Sequence, residues 1–193
     1  MNFSSKIFTK SAFLLLLFGF VLSSCDDATS SESGALQKID RYFDLKEFIE
    51  SEVVRLAGET AFVKTVFVNG EKEEKVLESL DIENELKPFL SSDINKPAWS
   101  DKYDIDSLLD NSGNLKELTY IAKDEKLKTQ LLSVKYQNKE VEEIAIKNRS
   151  KSSVAETLQE LSYAPLKGYS IESIQEVSTI DKNHFKIQVA FQK

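Results

Sequence analysis

The sequence predicts an α+β domain: a strongly curved, half-barrel-like antiparallel β-meander of about nine strands, with an N-terminal amphipathic helix and a second short helix packed on it. Three observations predict it. The folded part opens with a capped apolar stripe at helical spacing. An Asn-Gly hairpin follows, and from Tyr103 onward the apolar period is two and stays two. So many antiparallel strands with one apolar face must curl, close into a barrel or wrap a helix.

The first helix is read from Asp44-Leu45-Lys46-Glu47, a capping box in which the aspartate accepts from free backbone amides and Glu47 reaches back. Leu45, Phe48, Ile49, Val53 and Leu56 then share one helical face, and Gly58 is placed to close the end in a left-handed turn. Leu36, Ile39 and Phe43 extend the pattern upstream by a turn or two. Ala61 to Val68 is β-branched and aromatic, and Asn69-Gly70 suits a type I′ turn, whose two central residues need positive φ, into a second strand over Glu71 to Glu78. Asp81 caps a second helical pattern through Ile82, Leu86, Phe89 and Leu90, which Pro88 is expected to bend or interrupt.

The meander strands are predicted at Tyr103–Leu109, Leu115–Lys123, Leu127–Gln137, Glu140–Lys147, Val154–Tyr163, Tyr169–Ser178 and His184–Gln192, separated by turn residues including Asn138-Lys139 and Asp181 to Asn183. In the last of them Phe185, Ile187, Val189 and Phe191 face one way and His184, Lys186, Gln188 and Gln192 the other. The helix Leu45 to Leu56 is the expected filler of the sheet's concave side.

Ahead of the domain, Lys6 and Lys10 precede an apolar run from Ala12 to Leu22, the length of a secretory signal and well short of the roughly 20 residues that span a bilayer. The run ends in Leu22-Ser23-Ser24-Cys25, which contains the only cysteine. With no second cysteine a disulfide is excluded. These four residues resemble the bacterial lipobox, and the resemblance implies cleavage before Cys25 and lipid on its thiol and new amino group. Residues 1–24 are thus expected to be a lipoprotein signal peptide, 25–35 the lipidated cysteine with a flexible Ser-rich tether, and 36–193 a single α+β domain. The Asp26-Asp27 pair resembles the surface-export signal of Bacteroidota lipoproteins, which implies an outer-membrane, lipid-anchored protein facing the periplasm or the cell surface. The element order is also similar to the half-open barrels of the lipoprotein-localisation pathway, a resemblance of fold alone.

Without Lys6 and Lys10, the 25 basic residues fall to 23 against 32 acidic ones, a net charge of −9. That excludes nucleic acid as the expected partner, because the lysines form no basic stripe in sequence. Catalysis lacks parts: His184 is the only histidine and no Gly-x-Ser-x-Gly elbow accompanies it, so no catalytic residue and no enzyme activity are expected. Zinc needs several His or Cys ligands, and Asp101, Asp104, Asp106 and Asp110 lack calcium-loop spacing, so no metal and no cofactor are expected. Trp99, the only tryptophan, stands in a long loop after Pro97 and either anchors that loop over the core edge or lines a cavity mouth. Two function classes remain. One is a non-enzymatic interaction scaffold held to the membrane through Cys25. The other is a carrier of a hydrophobic ligand in a pocket lined by Leu45, Phe48, Ile49 and Trp99.

Overall fold

A computed structural model describes residues 41–59, 61–178 and 180–192, all of which fall in one compact unit. The signal segment, Cys25, the tether, Leu36 and Ile39 lie outside the described residues. The fold is α+β, with α1 (Leu45–Leu56), β1 (Phe62–Val68), β2 (Glu71–Leu77), α2 (Ile82–Leu90), a 3-10 turn at Pro97–Trp99, and seven further strands. These are β3 (Tyr103–Leu109), β4 (Leu115–Ala122), β5 (Thr129–Gln137), β6 (Glu140–Lys151), β7 (Ala155–Ala164), β8 (Gly168–Val177) and β9 (Ile180–Phe191). All nine strands form one open antiparallel sheet in the order β2-β1-β9-β8-β7-β6-β5-β4-β3.

That order dictates the path of the chain. The β1–β2 hairpin pairs with the last strand, Phe62 opposite Phe191 and Val68 opposite Phe185, so the first strand and the last are neighbours in the sheet. β2 is one edge and β3 the other, so residues 78–102, carrying α2, cross from one edge of the sheet to the other. The core lies between the sheet and the helices. Leu45, Ile49 and Leu56 of α1 and Ile82, Leu86 and Phe89 of α2 are buried with Leu132, Val134, Ile144, Ile146, Leu161, Tyr163 and Val189 from the central strands. Fully burying each such aliphatic side chain contributes roughly 1.5–3 kcal/mol.

Local chemistry explains the element ends. Asp44 accepts from the Glu47 amide at 2.8 Å and Asp81 from the Asn84 amide at 3.1 Å, capping the two helices. Asn69 and Gly70 take φ of 51° and 95°, as the type I′ turn requires, and Asn138 and Lys139 take 53° and 69°. Gly58 departs from expectation: it is not among the positive-φ residues, and α1 ends with Ala57 in the right-handed region and the Glu59 amide bonded to the Leu56 carbonyl at 3.0 Å. Pro88 does not interrupt α2, which runs on to Leu90. A proline this close to the C-terminus removes one internal bond, and the Ser91 and Ser92 hydroxyls donate to its carbonyl at 2.9 and 2.8 Å.

Two strands outrun their predicted lengths. β6 continues through Asn148-Arg149-Ser150-Lys151, and β9 begins at Ile180, so the turn between β8 and β9 lies where Val177 pairs with Ile180 and not at Asp181 to Asn183. The β6 extension is polar throughout and therefore silent to hydrophobic alternation, and Lys182 and Asn183 leave the start of β9 without it. β6 gains its extension from cross-strand partners, Arg149 Nε donating to Glu156 at 2.7 Å and Asn148 Nδ2 to Gln159 at 3.1 Å.

Candidate functional site

Each helix lowers one glutamate into the sheet, and each glutamate meets a tyrosine and a cation. On α1, Glu52 is only 7% exposed; it accepts from Arg55 Nε at 3.0 Å and Nη2 at 2.7 Å, and from the hydroxyl of fully buried Tyr163 at 2.5 Å. Arg55 also donates to the Pro165 carbonyl and stands 5.8 Å above the Phe191 ring. On α2, Glu85 accepts from Lys64 Nζ at 2.5 Å and from the Tyr169 hydroxyl at 2.7 Å. Tyr163 and Tyr169 are paired across β7 and β8, with the Phe89 ring edge-on to both. Burial, then the neighbouring glutamate, holds both phenols far above the usual tyrosine range, and the Glu52 pairing pushes the Arg55 guanidinium up. These are structural clamps: every charge is matched and the chemistry faces the core.

A third polar cluster ties the crossover to the sheet. Buried Asn148 donates to Ser92 Oγ at 2.8 Å, and buried Thr129 donates to the Ser92 carbonyl at 3.0 Å. The N-terminal end of the described chain is strapped beside it. Asn95 Oδ1 accepts from the Tyr42 amide at 3.1 Å, its Nδ2 donates to the Phe43 carbonyl at 2.9 Å, and the Tyr120 hydroxyl accepts from the Phe43 amide at 3.0 Å. The Tyr42 hydroxyl donates towards the Trp99 and Ser100 carbonyls, and its ring packs edge-on against Tyr103 and Tyr120.

The residues expected to line a cavity are dispersed by this packing. Leu45 and Ile49 are fully buried in the shared core, and Phe48 is half-buried against Phe43 and Tyr163. Trp99 ends the 3-10 turn, half-buried beside Tyr103 at 6.3 Å with Lys96 Nζ 3.9 Å over its ring: it anchors the loop. Surface concavities of roughly 240 to 430 Å³ lie elsewhere, and the linings of these do not include Leu45, Phe48, Ile49 or Trp99.

The remaining candidates resolve into ordinary contacts. His184 lies on the sheet face away from the helices, its Nε2 2.7 Å from Glu172, whose carboxyl Lys186 and then His184 hold below the usual range. The four aspartates of the acidic segment diverge. Asp101 pairs with Lys102 and Asp104 with Lys123, while Asp110 accepts from the Ser112 and Asn114 amides of its own turn. Among the described residues no three His, Cys, Asp or Glu side chains come together as a metal-holding group, and no helix is long and apolar enough to cross a membrane.

Two surface features were not read from the sequence. The first is a contrast between the sheet edges. β2 presents Lys72, Glu73, Glu74 and Lys75 to solvent, the charged edge that discourages strand addition. β3 instead exposes Ile105, Leu108 and Leu109, at 51, 57 and 55%, next to exposed Ile121 of β4. The second is a collection of cations at the β4–β5 loop, taken up below. Comparison with known proteins adds no relative: no family model, curated protein or solved structure matches the chain.

Proposed function

We propose that the chain is a non-enzymatic, membrane-tethered envelope lipoprotein whose β3 edge receives an extended segment of a partner protein. Anchoring through lipid on Cys25, and an outer-membrane location, are supported by the basic start, the short apolar run, Leu22-Ser23-Ser24-Cys25 and the acidic pair after it. The observation that carries the interaction reading is the contrast between the edges. A strand edge offers backbone amides and carbonyls for pairing, and β3, where the Ser107 amide is held by Asp106 at 2.9 Å, joins that edge to three exposed apolar side chains, whereas β2 carries Lys72, Glu73, Glu74 and Lys75 and one exposed valine. Asp106, exposed on the same strand, complements a partner strand in which basic residues alternate with apolar ones.

The test places a photo-cross-linking residue at Leu108 on one edge, and at Lys72 on the other, in the full-length chain in its native membrane. A defined adduct from position 108, mapping to one extended segment and lost on Ile105→Lys, is the expected result. Equal adducts from both edges, or none from 108, overturn the reading. Anchoring is checked separately with a palmitate analogue, which is expected to label wild type and not Cys25→Ser.

A further inference from the structure

We infer that the end of the sheet where the β4–β5 loop meets the last residues of β6 is a binding site for a phosphate-bearing anion, in particular the phosphate ester of a small polar group. A pocket of about 430 Å³ there is lined by Glu125, Lys126, Lys128, Arg149, Ser150 and Lys151. Four of these six side chains are cationic in a chain whose net charge is −7. The fold assembles them: Lys126 and Lys128 come from the loop before β5, Arg149 and Lys151 from the polar extension of β6, and the Arg149 amide donates to the Lys128 carbonyl at 2.8 Å.

The positive charge is only partly matched. Arg149 donates to Glu156 at 2.7 Å and lies 3.5 Å from Glu125, and Lys151 shares Glu156 at 3.8 Å. Lys126 and Lys128 have no carboxylate within 4 Å among the described residues. The Lys128 ammonium donates to the Ser91 hydroxyl at 2.7 Å and towards its carbonyl at 3.3 Å, two neutral acceptors for three protons. Burial, and then the charge of Lys96, push the Lys128 ammonium below its ordinary value, as befits a cation without a counter-charge.

The frame that presents these cations is built in advance. Asp124 Oδ1 accepts from the Lys126 amide at 2.9 Å, the Leu127 amide donates to the Asp124 carbonyl at 3.1 Å, and Gln130 Nε2 gathers the carbonyls of Asp124, Glu125 and Leu127. With the loop backbone fixed in advance, fewer degrees of freedom are lost when the ammonium and guanidinium donors close on a compact polyanion in charge-assisted bonds. The pocket exceeds a bare phosphate in volume and so has room for an esterified group. A nucleic-acid polymer is a poor fit, since the cations are confined to one pocket of an acidic chain.

Trp99, the single tryptophan, lies under Lys96, whose charge acts on the Lys128 ammonium, which makes its fluorescence the chosen readout. The full-length chain is titrated at constant ionic strength with inorganic phosphate, with glycerol 1-phosphate, and with vesicles of phosphatidylglycerol or phosphatidylcholine, following Trp99 fluorescence. A saturable response is expected, weakened about tenfold by Lys126→Gln with Lys128→Gln and unchanged by Lys135→Gln, whose ammonium pairs with Glu143 elsewhere on the sheet. Saturation by a soluble phosphate assigns a free anion. Saturation by phosphatidylglycerol but not phosphatidylcholine vesicles, lost in the double variant, assigns a lipid headgroup. A response equalled by chloride, or retained in the double variant, overturns the site. Should the double variant lose its circular dichroism, exposed Lys126→Gln alone carries the comparison with a smaller weakening.

Discussion

Glu52 sits on the buried face of α1, where helical periodicity calls for an apolar residue. A carboxylate there is tolerated because Arg55 and Tyr163 both donate to it. Removing it strands the Tyr163 hydroxyl in the core, so Glu52→Ala is expected to lower unfolding stability by about 3 kcal/mol. Truncating Glu172, whose partners His184 and Lys186 are exposed and half-buried, should cost under about 1 kcal/mol; urea midpoints of the two variants check the difference. Asp93 tests the opposite sign. Burial, with the charge of Asp44 adding to it, raises its carboxyl above the usual range. The folded state therefore binds that proton more tightly than the unfolded chain, and the associated stability is present at low pH and lost as pH rises through the folded value. Asp93→Asn should then be more stable than wild type at pH 7, by under about 1 kcal/mol, with the gain vanishing as pH falls below the unfolded aspartate value near 3.9. Thermal melts across that range would show a constant offset if the argument were wrong.

At the scale of elements, what was legible in the sequence is what alternates or caps. α1 is bounded as Asp44 and the apolar stripe indicate, and the hairpin is pinned by Asn69-Gly70. The end of β6 and the start of β9 were not legible, because their residues do not alternate apolar with polar and are held by cross-strand pairing within hairpins. The same blindness hid the site features. Glu52 with Arg55 had a weak signal in their i,i+3 spacing, but nothing local marks Asn95 as the clamp on Tyr42, or Lys126 and Arg149 as neighbours. Two turns carry element-scale expectations. At Gly168, φ is 139° and an added Cβ would fall 1.9 Å from the Val189 carbonyl oxygen on β9. Gly168→Ala should therefore part β8 from β9 and lower stability by about 3 kcal/mol or more, seen as lost amide-exchange protection in both strands. Lys139 holds φ of 69° with an L side chain, so Lys139→Gly is expected to raise the melting temperature, by roughly 1 kcal/mol in stability.

For the molecule as a whole, phenols add polar ties to the aliphatic packing, Tyr163 and Tyr169 binding the helices and Tyr103 the Thr129 carbonyl. Burial holds Tyr103, Tyr163 and Tyr169 far above the usual range, with glutamates reinforcing the last two. Because the folded state keeps these protons, their contribution to stability is full below the unfolded value near 10 and is lost as pH rises beyond it. Tyrosinate absorbance from these three residues should therefore appear together with the loss of circular dichroism in an alkaline titration, and a gradual rise from an intact fold would contradict the clamps.

The strap on Tyr42 and Phe43 has a mechanical consequence. Tension that reaches Tyr42 and Phe43 is met by Asn95 of the crossover and Tyr120 of β4, which grip the backbone there. The load is passed sideways into the crossover and the sheet interior, so no edge strand is peeled. β1 and β9, across the sheet from β4, carry none of these bonds and are expected to yield last.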